Sequence, residues 1–147
     1  MELVPRPIWN KSLAKTLSKN KWKSLRQSII EERGSKCQIC SSPSEPIFLH
    51  EVWDYDDVNY IQRLHELRLI CGMCNRIIHF GFTGVLHKQG KLSDEQFQDV
   101  IKHFLNVNQC TDADFERHMH EQFDVWEERS KLEWTQDFGQ YSHLLRS

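Results

Sequence analysis

Cys37-Gln38-Ile39-Cys40 and Cys71-Gly72-Met73-Cys74 are two Cys-x-x-Cys pairs separated by thirty residues. Each pair can close a tight turn that presents two thiolates to one tetrahedral ion, and four thiolates complete a closed structural zinc site. A redox role is the alternative, but neither pair lies in the βαβ pattern typical of redox Cys-x-x-Cys motifs. The spacing therefore predicts one Zn²⁺ ion that holds the fold and offers no open position to a substrate. The fifth cysteine, Cys110, is predicted to be a small buried apolar residue.

The segment between the two pairs has the composition of a β-hairpin. Residues 47–53, IFLHEVW, are rich in strand-forming side chains, and residues 67–70, LRLI, predict a second short strand before Cys71. Residues 74–81, CNRIIHFG, have room for about two helical turns, and Gly81 is a suitable stop. The order predicts a zinc-centred ββα element.

The flanking segments carry helix signals. Residues 18–34 have apolar side chains at helical spacing between Ser18, a candidate cap, and Gly34, a candidate end. Ser93 and Gln96 match a capping box that opens a helix to about residue 105, and Thr111 offers a further start. The helix after Thr111 is predicted to be long, because six residues fall on one stripe: Phe115, Met119, Phe123, Trp126, Ser130 and Trp134.

Together these signals predict an α+β, mainly helical protein with a single domain over residues 1–147. An N-terminal helix and two C-terminal helices flank the zinc-centred core, and residues 92–139 form a C-terminal helical extension. No apolar run approaches the eighteen residues of a membrane span, and the first residues lack the apolar stretch of a signal peptide. We therefore expect a cytoplasmic protein without a membrane partner.

Charge is distributed unevenly along the chain. Residues 1–36 carry nine basic against three acidic side chains, whereas residues 111–147 carry four against nine. The basic segment predicts contacts with nucleic-acid phosphates, although a solvated helix face is an equal alternative. The acidic C-terminal helix suits a protein partner. The candidate phosphate-contacting residues are Lys15, Lys19, Lys21, Lys23 and Arg26.

The core of the chain resembles the HNH endonucleases, the zinc-bound branch of the ββα-metal nucleases. The residues that carry the resemblance are CQIC (37–40), LHE (49–51) and LICGMCNRIIH (69–79). The resemblance covers roughly residues 20–81, and the C-terminal tail is similar to a bacterial and phage subfamily. It implies a treble-clef fold and a metal-dependent DNA endonuclease that hydrolyses phosphodiester bonds. It also implies a second divalent ion, Mg²⁺ or another, besides the zinc.

The catalytic positions of the resembled family match in part. Such a site needs a divalent ion at the scissile phosphate and a base that takes a proton from water. Asn75 stands where the family usually has a histidine, and it can serve as an oxygen ligand. If His50 is the base, the hairpin ligand position falls on Leu49. If His50 is instead a ligand, the base position falls on Glu51, and the metal set is His50, Asn75 and His79; we favour this register.

A function of a different class stays open at this level. The same zinc-held scaffold can serve as a catalytically inactive module that binds a protein or a nucleic acid, because a fold by itself does not determine chemistry. In that case His50 and His79 are imidazoles hydrogen-bonded near a structural zinc. Cleavage of DNA with an added metal distinguishes the two functions. The sequence predicts no oligomeric state.

Overall fold

The computed structural model describes residues 1–146 and shows an α+β protein that is 53% helical. This agrees with the predicted mainly helical α+β class. Within these residues, six helices, three strands and two short 3₁₀ segments follow one another. The elements are a 3₁₀ segment Arg6–Ile8, α1 Leu13–Thr16, α2 Lys19–Arg33, β1 Phe48–Asp56, β2 Ile61–Ile70, α3 Gly72–Ile78, α4 Phe80–Lys88, α5 Asp94–Asn108, α6 Asp112–Arg129, β3 Thr135–Asp137 and a 3₁₀ segment Gly139–Leu145.

Helix α2 begins and ends at the predicted residues. The Ser18 hydroxyl accepts a hydrogen bond from the Lys21 backbone N–H at 3.2 Å, which satisfies one free amide of the first turn. Gly34 ends the helix with a φ of +81°, a backbone conformation that only glycine adopts without strain. The apolar side of the helix packs against one face of the sheet, in a cluster that includes Ile29, Trp53 and Leu67.

Strands β1 and β2 form an antiparallel hairpin in which His50 pairs with Arg68 and Glu51 pairs with Leu67. The register shifts between Val52 and Trp53, which leaves His65 as the extra residue of a bulge on β2. Because side chains alternate along a strand, His50 and Glu51 point to opposite faces. The Glu51 face meets α1 and α2, and the His50 face meets α3.

Strand β2 begins at Ile61, six residues before the predicted start at Leu67. The first half of β2 was not predicted from the sequence because it contains several polar residues. One of them, Gln62, is nonetheless buried, and its polar atoms are satisfied by hydrogen bonds. Its amide nitrogen donates to the Tyr55 hydroxyl at 3.0 Å, and its carbonyl accepts from Gln136 at 2.9 Å. Gln136 lies on β3, which runs parallel to β2.

The prediction that Gly81 ends the helix after the second cysteine pair is wrong. Helix α3 ends at Ile78, and after a break at His79 the chain continues as α4, which contains Gly81. The Thr83 hydroxyl donates to the Arg76 carbonyl at 2.8 Å and satisfies an acceptor that the break leaves free. The buried ring of Phe80 anchors α4 in an apolar cluster with α5 and α6.

Helices α5 and α6 begin with the predicted caps at Ser93 and Thr111, and both are capping boxes. The predicted apolar stripe is too long, because α6 ends at Arg129. Trp134 lies beyond the helix, donates from its indole nitrogen to the Arg129 carbonyl at 2.8 Å, and packs edge-on against Tyr55. It therefore belongs to the hairpin packing and not to the helix.

The first residues of the chain lie across α3, α4 and α6 in an arrangement that local sequence signals did not predict. The Glu2 N–H donates to the Ile78 carbonyl at 2.9 Å, and the Trp126 indole donates to the Val4 carbonyl at 2.9 Å. A β-carbon on Gly81 would lie 3.3 Å from the Leu3 side chain, so the glycine permits this close approach. The N-terminal segment, residues 1–9, is thereby placed beside His79.

Among residues 1–146, the structure contains no helix that is both long and apolar enough to cross a membrane.

Candidate functional site

The four cysteines of the two Cys-x-x-Cys pairs come together where the hairpin meets α3. Their sulfur atoms all lie within 4.8 Å of one another, and within residues 1–146 no other group of three or more potential ligands is as close. In each pair the N–H of the second cysteine donates to the first sulfur, at 3.5 Å from Cys40 to Cys37 and at 3.4 Å from Cys74 to Cys71. The predicted cluster is confirmed, and it can hold a metal ion such as zinc.

The surroundings of the sulfur atoms fit a bound cation. Burial raises the pKa of the Cys71 and Cys74 thiols, so thiolates at these positions need a positive charge close by. Ser42 Oγ lies 3.3 Å from the Cys40 sulfur, and His103 Nε2 lies 3.3 Å from the Cys74 sulfur. Such outer partners orient the ligands of a metal site. Four sulfur donors leave no open coordination position.

His50 and His79 lie next to each other where β1 approaches the end of α3. Their ring centroids are 5.3 Å apart and the rings meet edge to face. His50 is buried, with 7% of its surface exposed, and comes from β1, whereas His79 sits at the break between α3 and α4. Burial, and then the neighbouring His50, lowers the pKa of His79 to about 4. His79 is therefore neutral at physiological pH, as a metal-binding imidazole must be.

Asn75 lies one helical turn before His79 on α3. The backbone carbonyl of Asn75 accepts a hydrogen bond from the His79 backbone N–H at 3.0 Å, so both residues are on the same side of the helix. Asn75 is half-buried. The structure thus brings His50 and His79 together and places Asn75 one helical turn before His79.

Glu51 lies on the opposite face of the hairpin from this pair. Its two carboxylate oxygens accept the backbone N–H groups of Leu13, at 2.6 Å, and Ala14, at 3.2 Å. Burial raises the pKa of Glu51, and the two donors oppose that rise by favouring the carboxylate. The bulge on β2 does not turn Glu51 toward His50. This placement favours a structural role at the start of α1 over the predicted role as a base.

We expect Glu51→Ala to lower the free energy of unfolding by about 2–4 kcal/mol, because two backbone N–H groups lose a charged acceptor in a largely buried site. Urea denaturation of the zinc-loaded protein measures the loss. Glu31→Ala, at an exposed position of α2, is the control and should change stability by less than about 0.5 kcal/mol. Loss of activity in Glu51→Ala without loss of stability would instead assign the carboxylate to catalysis.

Two residues near the histidines were not predicted from the sequence. Glu2 Oε2 lies 2.9 Å from His50 Nε2, and Glu2 Oε1 is buried without a hydrogen-bond partner among residues 1–146. No local signal connects positions 48 residues apart. Arg68 pairs with His50 across the hairpin and contacts Glu66. Because Arg68 is the cross-strand partner of His50, its side chain lies on the same face of the hairpin as His50.

A groove of about 690 Å³ opens beside His79. Glu2, Trp9 and Phe82 are among the residues that line it, and the two aromatic side chains are exposed at 58% and 55%. The groove gives an extended ligand access to the region of the histidine pair.

The predicted phosphate-contacting residues lie on α1 and α2, on the opposite side of the hairpin from His50. The four lysines are exposed: Lys15, Lys19, Lys21 and Lys23. Lys15 Nζ donates to Asn10 Oδ1 at 2.8 Å, and Lys21 Nζ donates to the Arg146 carbonyl at 3.2 Å. The Arg26 guanidinium is partly buried and donates twice to the Ile47 carbonyl, at 2.9 and 2.6 Å. Arg26 therefore links α2 to the start of the hairpin.

Comparison of the chain with protein families, with curated proteins and with solved structures finds no match in any of the three. The chemistry of the site therefore has to be inferred from the residues of this chain.

Proposed function

We propose that this protein is a metal-dependent endonuclease of the HNH type that hydrolyses phosphodiester bonds in DNA. In this proposal the four-cysteine cluster holds a structural zinc in a treble clef, and His50, Asn75 and His79 hold a second divalent ion. The observation that supports it most directly is the meeting of His50 and His79, from a hairpin and from a helix that both begin or end at the cysteine cluster. Two elements held by one structural metal can present ligands to a second ion at a defined spacing.

The chain's own residues account for the parts of such a site. A divalent ion, when bound, offsets charge on the phosphate and on the departing oxygen and makes water more acidic. His79 is held neutral by burial, and His50 is held in place by Glu2. Arg68, beside His50 on the same face, offers a cation to the phosphate backbone. Since Glu51 faces α1 and His50 is a ligand in this proposal, the water's proton is lost to solvent rather than to Glu51.

A cleavage assay tests the proposed function. Zinc-loaded protein is incubated with supercoiled and linear plasmid in Mg²⁺, Mn²⁺ or Ni²⁺, and the control is the same protein without added metal. We expect nicked or linear products only with an added ion. If no ion supports cleavage, the inactive binding module replaces this proposal.

We also propose that the exposed lysines of α1 and α2 contribute to DNA affinity. Replacing Lys15, Lys19, Lys21 and Lys23 by glutamine should lower the slope of log K against log salt by about 0.9 for each phosphate that is no longer neutralised. Fluorescence anisotropy with a duplex at several salt concentrations measures the slope. Lys131→Gln is the control, because Lys131 pairs with Glu128 after the acidic helix. An unchanged slope in the fourfold variant would leave these lysines as a solvated helix face.

A further inference from the structure

Glu2 has a feature that ordinary side-chain packing does not explain. Its side chain is only 17% exposed, Oε2 contacts His50, and Oε1 is buried without a partner among residues 1–146. A buried polar atom without a partner destabilises the folded state, and such atoms are rare in folded proteins. The free oxygen lies in the region of the two histidines, where a cation would satisfy it.

Two distances in this region are close to those between ligands of one ion, one from Glu2 to His50 and one between the two histidine rings, although within residues 1–146 only the four cysteines form a tight group of ligand atoms. Neighbouring ligands of an octahedral ion with bonds of about 2.1 Å are about 3 Å apart, and Glu2 Oε2 lies 2.9 Å from His50 Nε2. Two imidazoles that bind one ion through nitrogen at about 2.1 Å have ring centroids roughly 5 Å apart. The His50 and His79 centroids are separated by 5.3 Å.

Strand β1 supplies only His50 as a ligand to this region, and the Glu66 carboxylate on β2 is paired with Arg68. Leu49 faces the apolar cluster under α2, and Glu51 is bound to the N–H groups of α1. Glu2 reaches the site from the other direction, because its backbone N–H is fixed to the Ile78 carbonyl next to His79. The N-terminal segment thus supplies an anionic oxygen that β1 lacks.

We propose that Glu2 is a ligand of the second divalent ion, where it joins Asn75 and adds one carboxylate to the two imidazoles of His50 and His79. This inference rests on the proposed function for the location of the ion and adds the ligand that the hairpin does not provide. Two nitrogen donors and one carboxylate suit Mn²⁺, Fe²⁺, Ni²⁺ or Zn²⁺ better than Mg²⁺, which prefers oxygen. A six-coordinate ion held by these residues keeps coordination positions for a phosphate and for water.

Binding of Mn²⁺ to zinc-loaded protein tests this assignment without a cleavage assay. Mn²⁺ prefers oxygen and nitrogen to thiolate and leaves the four cysteines to zinc, and free Mn²⁺ is counted by electron paramagnetic resonance. The protein carries any tag at its C-terminal end, so that Glu2 keeps its surroundings. We expect one bound Mn²⁺ in the unaltered protein and an affinity weaker by about tenfold or more in Glu2→Gln.

Two further variants separate the possible outcomes. Glu32→Gln removes the same charge from an exposed position of α2 and should bind Mn²⁺ like the unaltered protein. His79→Ala should lose Mn²⁺ binding together with Glu2→Gln. If His79→Ala weakens binding and Glu2→Gln does not, the ion site exists without Glu2 and the inference is wrong.

Tighter binding in Glu2→Gln would also overturn the inference, because Glu2 would then be an obstruction rather than a ligand. The inference is equally wrong if the unaltered protein binds no Mn²⁺ beyond its zinc. If Mn²⁺ binding depends on Glu2 but no DNA is cleaved, the metal site stands and the proposed nuclease function fails.

Discussion

Cys71→Ser should prevent the protein from folding stably. Cys71 is buried at the junction of β2 and α3, where its sulfur accepts the Cys74 N–H and lies 3.7 Å from the Cys40 sulfur. Binding of structural zinc is worth about 10–16 kcal/mol in small zinc-dependent domains. The whole stability of a domain is about 5–15 kcal/mol. Loss of one thiolate should therefore remove most or all of the folding free energy.

Zinc content by mass spectrometry and thermal unfolding by circular dichroism measure this effect. Cys110→Ser is the matched control, because Cys110 is half-buried beside the cluster around Phe104 and lies outside the four-sulfur group. It should keep one zinc per chain and lose no more than about 1.5 kcal/mol. Folded, soluble protein without zinc would show that the four thiols pack the core without a metal.

His50→Ala and His79→Ala should each reduce metal-dependent cleavage by about a thousandfold or more, which corresponds to roughly 4 kcal/mol of transition-state stabilisation. The two rings come from β1 and from the end of α3, with centroids 5.3 Å apart, so in our proposal the removal of either one disrupts the same ion site. Rates of plasmid nicking under single-turnover conditions measure the loss. His65→Ala, at the exposed bulge of β2, is the control and should cleave normally.

Metal affinity measured on the same variants decides the role of His50. If His50 is a ligand, both variants lose the second ion together with cleavage. If His50 is the base, His50→Ala loses cleavage but retains Mn²⁺, whereas His79→Ala loses both. Equal cleavage by His50→Ala and the unaltered protein would exclude the histidine pair from the chemistry.

The starts of α2, α5 and α6 were predictable because their causes are local. Ser18, Ser93 and Thr111 each bond to an N–H three residues later, so the signal and the structure occupy the same short segment. The ends of helices were harder to predict. Glycine is common just after the end of a helix, but α4 continues through Gly81 because Phe80 is buried against α5 and α6.

The candidate site was predicted in part, because some of its residues are close together in the sequence. Asn75 and His79 are one turn apart, and their common side follows from helical spacing alone. The role of Glu51 depends on which face of β1 meets α1, and a bulge on the partner strand did not alter that face. The role of Glu2 could not be predicted from local sequence patterns, because Glu2 and His50 are 48 residues apart.

The sequence by itself determined the cysteine pairs, the helix caps and the α+β class, since each depends on residues within a few positions of one another. The tertiary structure decided what His50 faces. Packing of α1 and α2 on one side of the hairpin withdraws Glu51 and Leu49 from the site, and packing of residues 1–9 on α3, α4 and α6 brings Glu2 to it. Such contacts form because segments that are distant in the sequence bury apolar surface against one another, and no single stretch of sequence shows which segments will meet.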